Sequence, residues 1–166
     1  MPALRWQPIA TLILSLFGLG VSIYLTITHF HPAALVCSSN ATINCEKVTT
    51  SPQSEVFGIP VAMLGLAYFV PMIALCLPAA WRSVDRRIHL ARLALSVVGV
   101  GMIIYLLIAE LFIIKAICLW CSSVHLITFI LFIIIATSTP LVLARGYGLA
   151  DDERDEGWDE SSFAEA

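Results

Sequence analysis

Cys118 and Cys121 are separated only by Leu119 and Trp120, and they sit inside an almost unbroken apolar run over residues 88–140. On a helix, residues three apart share a face, so the two sulfurs can close a small, readily reduced disulfide. At a helix N-terminus the macrodipole also favours the thiolate, which is both nucleophile and leaving group in thiol–disulfide exchange. The pair points to redox chemistry, and its place at a lipid boundary lets it meet a lipid-soluble electron carrier as well as water-borne thiols. Cys37 and Cys45 make a second close-spaced pair, in a polar stretch with Ser38, Ser39, Asn40, Thr42 and Asn44. They can pair with each other, or Cys45 can swing across this flexible stretch to reach Cys118. The fifth cysteine, Cys76, reads as a small buried apolar residue.

Two static uses of four cysteines compete with a relay. Structural staples are disfavoured because a loop as short as Cys118 to Cys121 constrains little of the unfolded chain. Zinc is disfavoured because the Cys37 to Cys45 spacing is wide for a zinc knuckle and an oxidising compartment favours disulfides, so no metal is expected. Around the active pair, His125 follows Cys121 by four residues and shares its helical face. Its imidazole can steady the Cys121 thiolate or hydrogen-bond a quinone oxygen. Glu110 can relay the proton released on thiol oxidation or pair with Lys115, the pairing being the favoured reading. Ser51, Ser122 and Ser123 can donate hydrogen bonds, although helix capping explains them as well.

The elements that position these residues must lie in a membrane. Of 166 residues, 59% are hydrophobic and 13% charged, against about half apolar in soluble domains. Four stretches are long enough to cross the hydrocarbon core, at 9–30, 57–77, 93–114 and 118–136. The third and fourth abut, so the chain must turn near Lys115, and the Cys-x-x-Cys opens helix four. Cys121 then lies about 4.5 Å deeper along the axis than Cys118. The first stretch reads as an uncleaved helix, since it has one Arg, no small-x-small cleavage site and too long an apolar run for a signal peptide. Trp6 and Trp81 fall at expected membrane edges. Gly18, Ser22 and Gly99 permit close helix packing.

Basic residues concentrate in cytoplasmic loops. Arg5, Arg82, Arg86, Arg87, Arg92, Arg145 and Arg154 fall on one side, and only Lys47 and Lys115 on the other. Both termini are therefore expected in the cytoplasm of a multi-pass plasma (inner) membrane protein, with the loop 31–56 outside. In that loop Ser51 and Pro52 suit the N-cap and first position of a short interfacial helix, and Gly58 and Pro60 mark its join to helix two. The net charge of −3 comes mostly from residues 151–165, which read as a disordered acidic tail. The chain divides into a membrane domain, 1–143, and the tail, 144–166. Nothing suggests nucleic acid.

Cys37, Cys45, Ser51, the run Phe57-Gly58-Ile59-Pro60 and Cys118-Leu119-Trp120-Cys121 together resemble the vitamin K epoxide reductase family, over residues 8–140. The Phe-Gly-Ile-Pro run and Ser122-Ser123-Val124-His125 are more similar to bacterial members than to the animal enzyme, which has tyrosine in place of His125. The resemblance implies an all-α integral membrane bundle of four transmembrane helices around a quinone, menaquinone or ubiquinone, with an outer cysteine-bearing loop. It implies Cys118 and Cys121 as the active pair, Cys37 and Cys45 as the shuttle pair, Ser51 beside the quinone and Phe57 in the same entry motif. Glu110 and His125 complete the expected cofactor-binding set. Bacterial members oxidise a thioredoxin-like periplasmic protein, in several cases fused at the carboxyl end. The short, cysteine-free tail here implies a separate partner.

The resulting expectation is a thiol oxidase passing electrons from an external dithiol to Cys37, from Cys45 to Cys118, and from Cys121 to the quinone. The competing expectations are quinone or quinone-epoxide reduction as the purpose, and a non-catalytic scaffold that binds zinc or is stapled by disulfides.

Overall fold

Inside a bilayer a single segment can satisfy its own backbone only as a helix, and helices dominate the computed structural model, which describes residues 3–37, 40, 42–83 and 85–146. The acidic stretch 151–165, Arg154, Ser38 and Ser39 lie outside the described residues. Helix α1 is Ala3–Phe30, α2 Cys45–Thr49, α3 Val61–Cys76, α4 Pro78–Trp81, α5 Arg86–Ile108 and α6 Leu119–Gly146. Among the described residues, three segments are long and apolar enough to cross a membrane: Trp6–Phe30, Arg86–Ile114 and Leu119–Ala144. The fourth helix, α3, has 16 residues, about 24 Å at 1.5 Å per residue.

Helix α3 is shorter than the apolar stretch 57–77 predicts because other structures claim both ends. Strands β1 (Glu55–Val56) and β2 (Ile59–Pro60) form an antiparallel hairpin. Its two-residue turn, Phe57-Gly58, has φ of 54° and 76°, the left-handed conformations that match hairpin twist. At the far end Pro78 disfavours helical backbone at Leu77, which is extended with ψ 143°, and α4 is a single turn beyond it. The interfacial helix expected after Ser51 is likewise one 3-10 turn, Pro52–Ser54. Ser51 does not cap it and instead donates to the Val48 carbonyl at 2.8 Å. Helix α5 begins seven residues earlier than expected, because Asp85 caps it by accepting from the Arg87 amide at 2.9 Å.

The bundle turns its small and polar side chains inward. Thr11, Ser15 and Ser22 of α1, Ser96 of α5 and Ser138 of α6 are buried, whereas Ile9, Ile13 and Phe17 are exposed. Lipid tails are as apolar as a helix surface, so close approach, not hydrophobic contrast, holds such helices together. A Cβ at Gly18 would lie 2.3 Å from the buried Phe69 ring, and one at Gly99 would lie 2.7 Å from the Tyr68 hydroxyl. At the end of the bundle away from Cys118, the Arg92 guanidinium stacks 3.7 Å over Trp81 and bonds His89 Nδ1 at 2.5 Å. Trp81 is therefore buried under a cation, whereas Trp6 is half exposed.

At the cysteine end, α5 runs on into a π-helical turn, Ala109–Ile114. Lys115 reverses the chain in the left-handed region, φ 54°, where the abutting apolar stretches require a turn. Ile117 then forms a parallel bridge with Ile43, with hydrogen bonds from Asn44 N to Ile117 O at 3.1 Å and Ile117 N to Thr42 O at 3.0 Å. Asn44 caps α2 by accepting from the Lys47 amide at 2.9 Å. A second tether holds Val36, next to Cys37. The Tyr24 hydroxyl accepts from Val36 N at 2.8 Å and the Trp120 indole donates to Val36 O at 2.9 Å, the two rings packing at 4.8 Å.

Gly18→Ala, which drives a methyl into Phe69, is expected to destabilise the bundle by about 1–3 kcal/mol, read from the unfolding midpoint in detergent. Gly20→Ala, where a Cβ meets nothing within 4 Å, should change it by less than about 0.5 kcal/mol. Trp120→Phe keeps an aromatic ring and loses the bond to Val36. Losing about 1 kcal/mol of restraint should make dithiothreitol reduce the Cys37–Cys45 disulfide several-fold faster at an unchanged unfolding midpoint, and an unchanged reduction rate would refute the tether.

Candidate functional site

All four site cysteines meet at one end of the bundle. Cys37 and Cys45 form a disulfide, 6.2 Å between Cα atoms, whereas Cys118 and Cys121 are free thiols. Cys45 is 1% exposed and Cys118 0%, and both belong to one buried cluster with Val48, Ala109, Ile114 and Ala116. Cys37, Trp120 and Cys121 pack against that cluster. In this arrangement the loop is tethered close to the Cys118–Cys121 pair. The Ile43 bridge and the Val36 tether fix it on both sides of the disulfide, and Cys45 needs no long excursion to face Cys118.

Cys118 immediately precedes α6, and its sulfur accepts the Cys121 amide at 3.3 Å. It occupies the N-cap position, where a sulfur faces the unpaired N–H groups and positive end of the helix, a setting that stabilises a thiolate. Cys121 lies one turn further on and lines a cavity of about 530 Å³. Its walls come from α1, α3, α5 and α6, with residues 48–54 closing the outer end. They are mostly apolar, and the volume suits a small-molecule site.

The cavity gathers several of the residues singled out from sequence. Ser51, Glu110, Cys121 and His125 all line it, while Cys118 stands behind Cys121 on the Cys45 side. His125 is buried, and its Nδ1 has no hydrogen-bond partner. Glu110 is buried in the π-helical turn, whereas Lys115 is exposed. The expected Glu110–Lys115 pair does not form, because the left-handed turn points the lysine out of the bundle; among the described residues the sole ion pair is His29–Glu55 at 3.9 Å. Phe57 is not brought to the site. It stands at the hairpin tip, 99% exposed, because the chain reverses there instead of starting a helix. Ser122 and Ser123 donate to the carbonyls of Cys118 and Trp120 within their own helix.

Sequence reasoning passed over Thr128, Tyr68, Ser54 and His29, which also line the cavity. Thr128 carried a usable signal, since it follows Cys121 by seven residues and His125 by three on the same helical face. Tyr68 and Ser54 carried none, their positions depending on how α3 and the hairpin fold back. Among the described residues, no group of three or more His, Cys, Asp and Glu side chains is placed to hold a metal ion.

No curated protein matches the chain. Residues 9–136, which span α1 to the middle of α6 and include every site cysteine, match the vitamin K epoxide reductase family. The chain belongs to the vitamin K epoxide reductase family, membrane oxidoreductases associated with quinone-type substrates.

Proposed function

We propose that this protein is a membrane thiol oxidase that takes electrons from a separate thioredoxin-like dithiol protein outside the cytoplasm and delivers them to a quinone in the bilayer. The observation that carries the reading is the sorting of sulfurs by surroundings. Cys45 and Cys118 are sealed together, Cys37 is partly exposed, and Cys121 lines the cavity. Each adjacent pair thus has a distinct partner, which a static staple does not require.

In this reading a partner thiolate attacks Cys37 and opens the Cys37–Cys45 disulfide, releasing Cys45 as a thiolate. Cys45 attacks Cys118 of an oxidised Cys118–Cys121 pair, making a Cys45–Cys118 mixed disulfide and freeing Cys121. The partner's second thiol closes the partner's own disulfide and releases Cys37 as a thiolate, which then displaces Cys118 from Cys45, leaving the outer pair oxidised and the inner pair reduced. The closed Cys37–Cys45 disulfide and the free Cys118 and Cys121 are compatible with that end state. A quinone supplies the sink for two electrons and two protons. The cavity fits such a group by volume, by its apolar walls and by the unpartnered His125 nitrogen, and His125, Ser51 and Glu110 are the residues that would hold it. The surplus of Arg at the end away from the cysteines supports an extracytoplasmic cysteine end.

Cys121→Ala tests the order. The variant should fold with an unchanged unfolding midpoint, lose quinone reduction, and, without added reductant, accumulate a Cys45–Cys118 linkage seen by non-reducing mass spectrometry, formed when the Cys118 thiolate attacks the Cys37–Cys45 disulfide and releases Cys37. Retained quinone reduction, or a variant that unfolds without ever forming that linkage, would remove the relay.

A further inference from the structure

Among the described residues, Glu110 is the one acidic side chain lining the cavity. It is 4% exposed, and no described donor or cation pairs with its carboxylate. A buried carboxylate without partners is expensive to keep ionised. Such a group survives in a membrane protein where a proton must be held or moved.

The local fold places it for that task. The π-helical turn keeps Ala109, Glu110 and Ile114 all facing inward, and widened turns of this kind recur at functional sites. Ala109 and Ile114 pack in the same cluster as Cys118, with Cys121 against it. The other ionisable groups lining the cavity are Cys121 and His125 on α6, Tyr68 on α3 and His29 on α1, with no Lys or Arg. Glu46 and Lys47 on α2, like Lys115, are exposed, and His29 faces Glu55.

We propose that Glu110 is the proton-transfer residue of the inner thiol pair, taking up a proton released there and holding it at the cavity wall for delivery to the quinone. The proposal rests on the quinone-linked reading above. Closing the Cys118–Cys121 disulfide breaks two S–H bonds, forms one S–S bond and releases two protons and two electrons. The electrons leave to the quinone, whose conversion to quinol consumes two protons. Glu110 carries one of those protons between sulfur and acceptor along the cavity wall.

The test uses the full-length protein in detergent with menadione as the quinone probe, comparing wild type with Glu110→Gln and Glu110→Asp. Protein reduced with dithiothreitol and freed of it is mixed with menadione by stopped flow. E110Q should slow oxidation of the inner pair about a hundredfold and flatten its dependence on pH between about 5.5 and 8.5, whereas E110D should keep a pH-dependent rate. Reduction of Cys37–Cys45 by a dithiol peptide should be unchanged in both. A second readout needs no quinone: reduced-minus-oxidised infrared difference spectra of wild type should contain a carboxyl C=O band that is absent from E110Q. Wild-type rates and pH profile in E110Q, or in Glu110→Ala should E110Q not fold, would overturn the proposal, as would a difference spectrum without a carboxyl band. Failure of the wild-type protein to reduce menadione would instead overturn the quinone-linked reading on which it stands.

Discussion

The short parallel bridge between Ile43 and Ile117 is the contact on which the arrangement of sulfurs depends. It joins the outer loop to the last residues before α6 through two backbone hydrogen bonds. With those bonds made, α2 starts directly above α6, and the first residue of α2, Cys45, closes over the N-cap of α6, Cys118. Two conditions make the bridge possible. The chain must leave α5 in an extended form, which the left-handed Lys115 provides, and the outer loop must arrive parallel, which Asn44 secures by turning at once into α2. Opening the bridge would expose both buried sulfurs together. Their burial keeps solvent from both sulfurs, whereas Cys37 is partly exposed.

A polar interior in a membrane bundle invites unsatisfied groups, and the hydroxyls here avoid this by bonding back along their own helices. Thr11 donates to Gln7 O at 2.8 Å, Ser15 to Thr11 O at 2.7 Å and Thr26 to Ser22 O at 2.7 Å. Each keeps a small cross-section between helices without requiring a partner on the next. The buried polar atoms without partners include Tyr68 Oη and His125 Nδ1 in residues of the cavity wall, and the Trp81 and Arg92 nitrogens at the opposite end. The bundle is therefore electrostatically quiet in its middle and polar at its two ends.

Much of this was legible in the chain because hydropathy reports directly on lipid exposure. The number and order of helices, the reversal near Lys115 and the start of α6 all follow from apolar lengths measured against bilayer thickness. The gathering of Cys121 and His125 follows from helical spacing alone. Other features depend on contacts between distant segments. That Phe57 would form a hairpin tip instead of opening a helix required the pairing of Glu55 with Pro60, and that Glu110 would stand without Lys115 required the sign of one backbone angle. The flexibility assigned to the outer loop came from its polar composition, which says nothing of the two aromatic side chains, Tyr24 and Trp120, that hold its backbone. Asp85 as the cap of α5 was available in sequence and was obscured by the charged first turn that follows it.

The short span of α3 bears on the surrounding lipid. At about 24 Å it falls several ångströms below a hydrocarbon core of about 30 Å, while the segments Trp6–Phe30, Arg86–Ile114 and Leu119–Ala144 run to 25, 29 and 26 residues. The bilayer must thin on the α3 side or admit the hairpin below headgroup level. Since α3 walls one flank of the cavity, acyl-chain length becomes a control on that flank. Membranes of different thickness would present the same active cysteines with different ease of entry from the lipid.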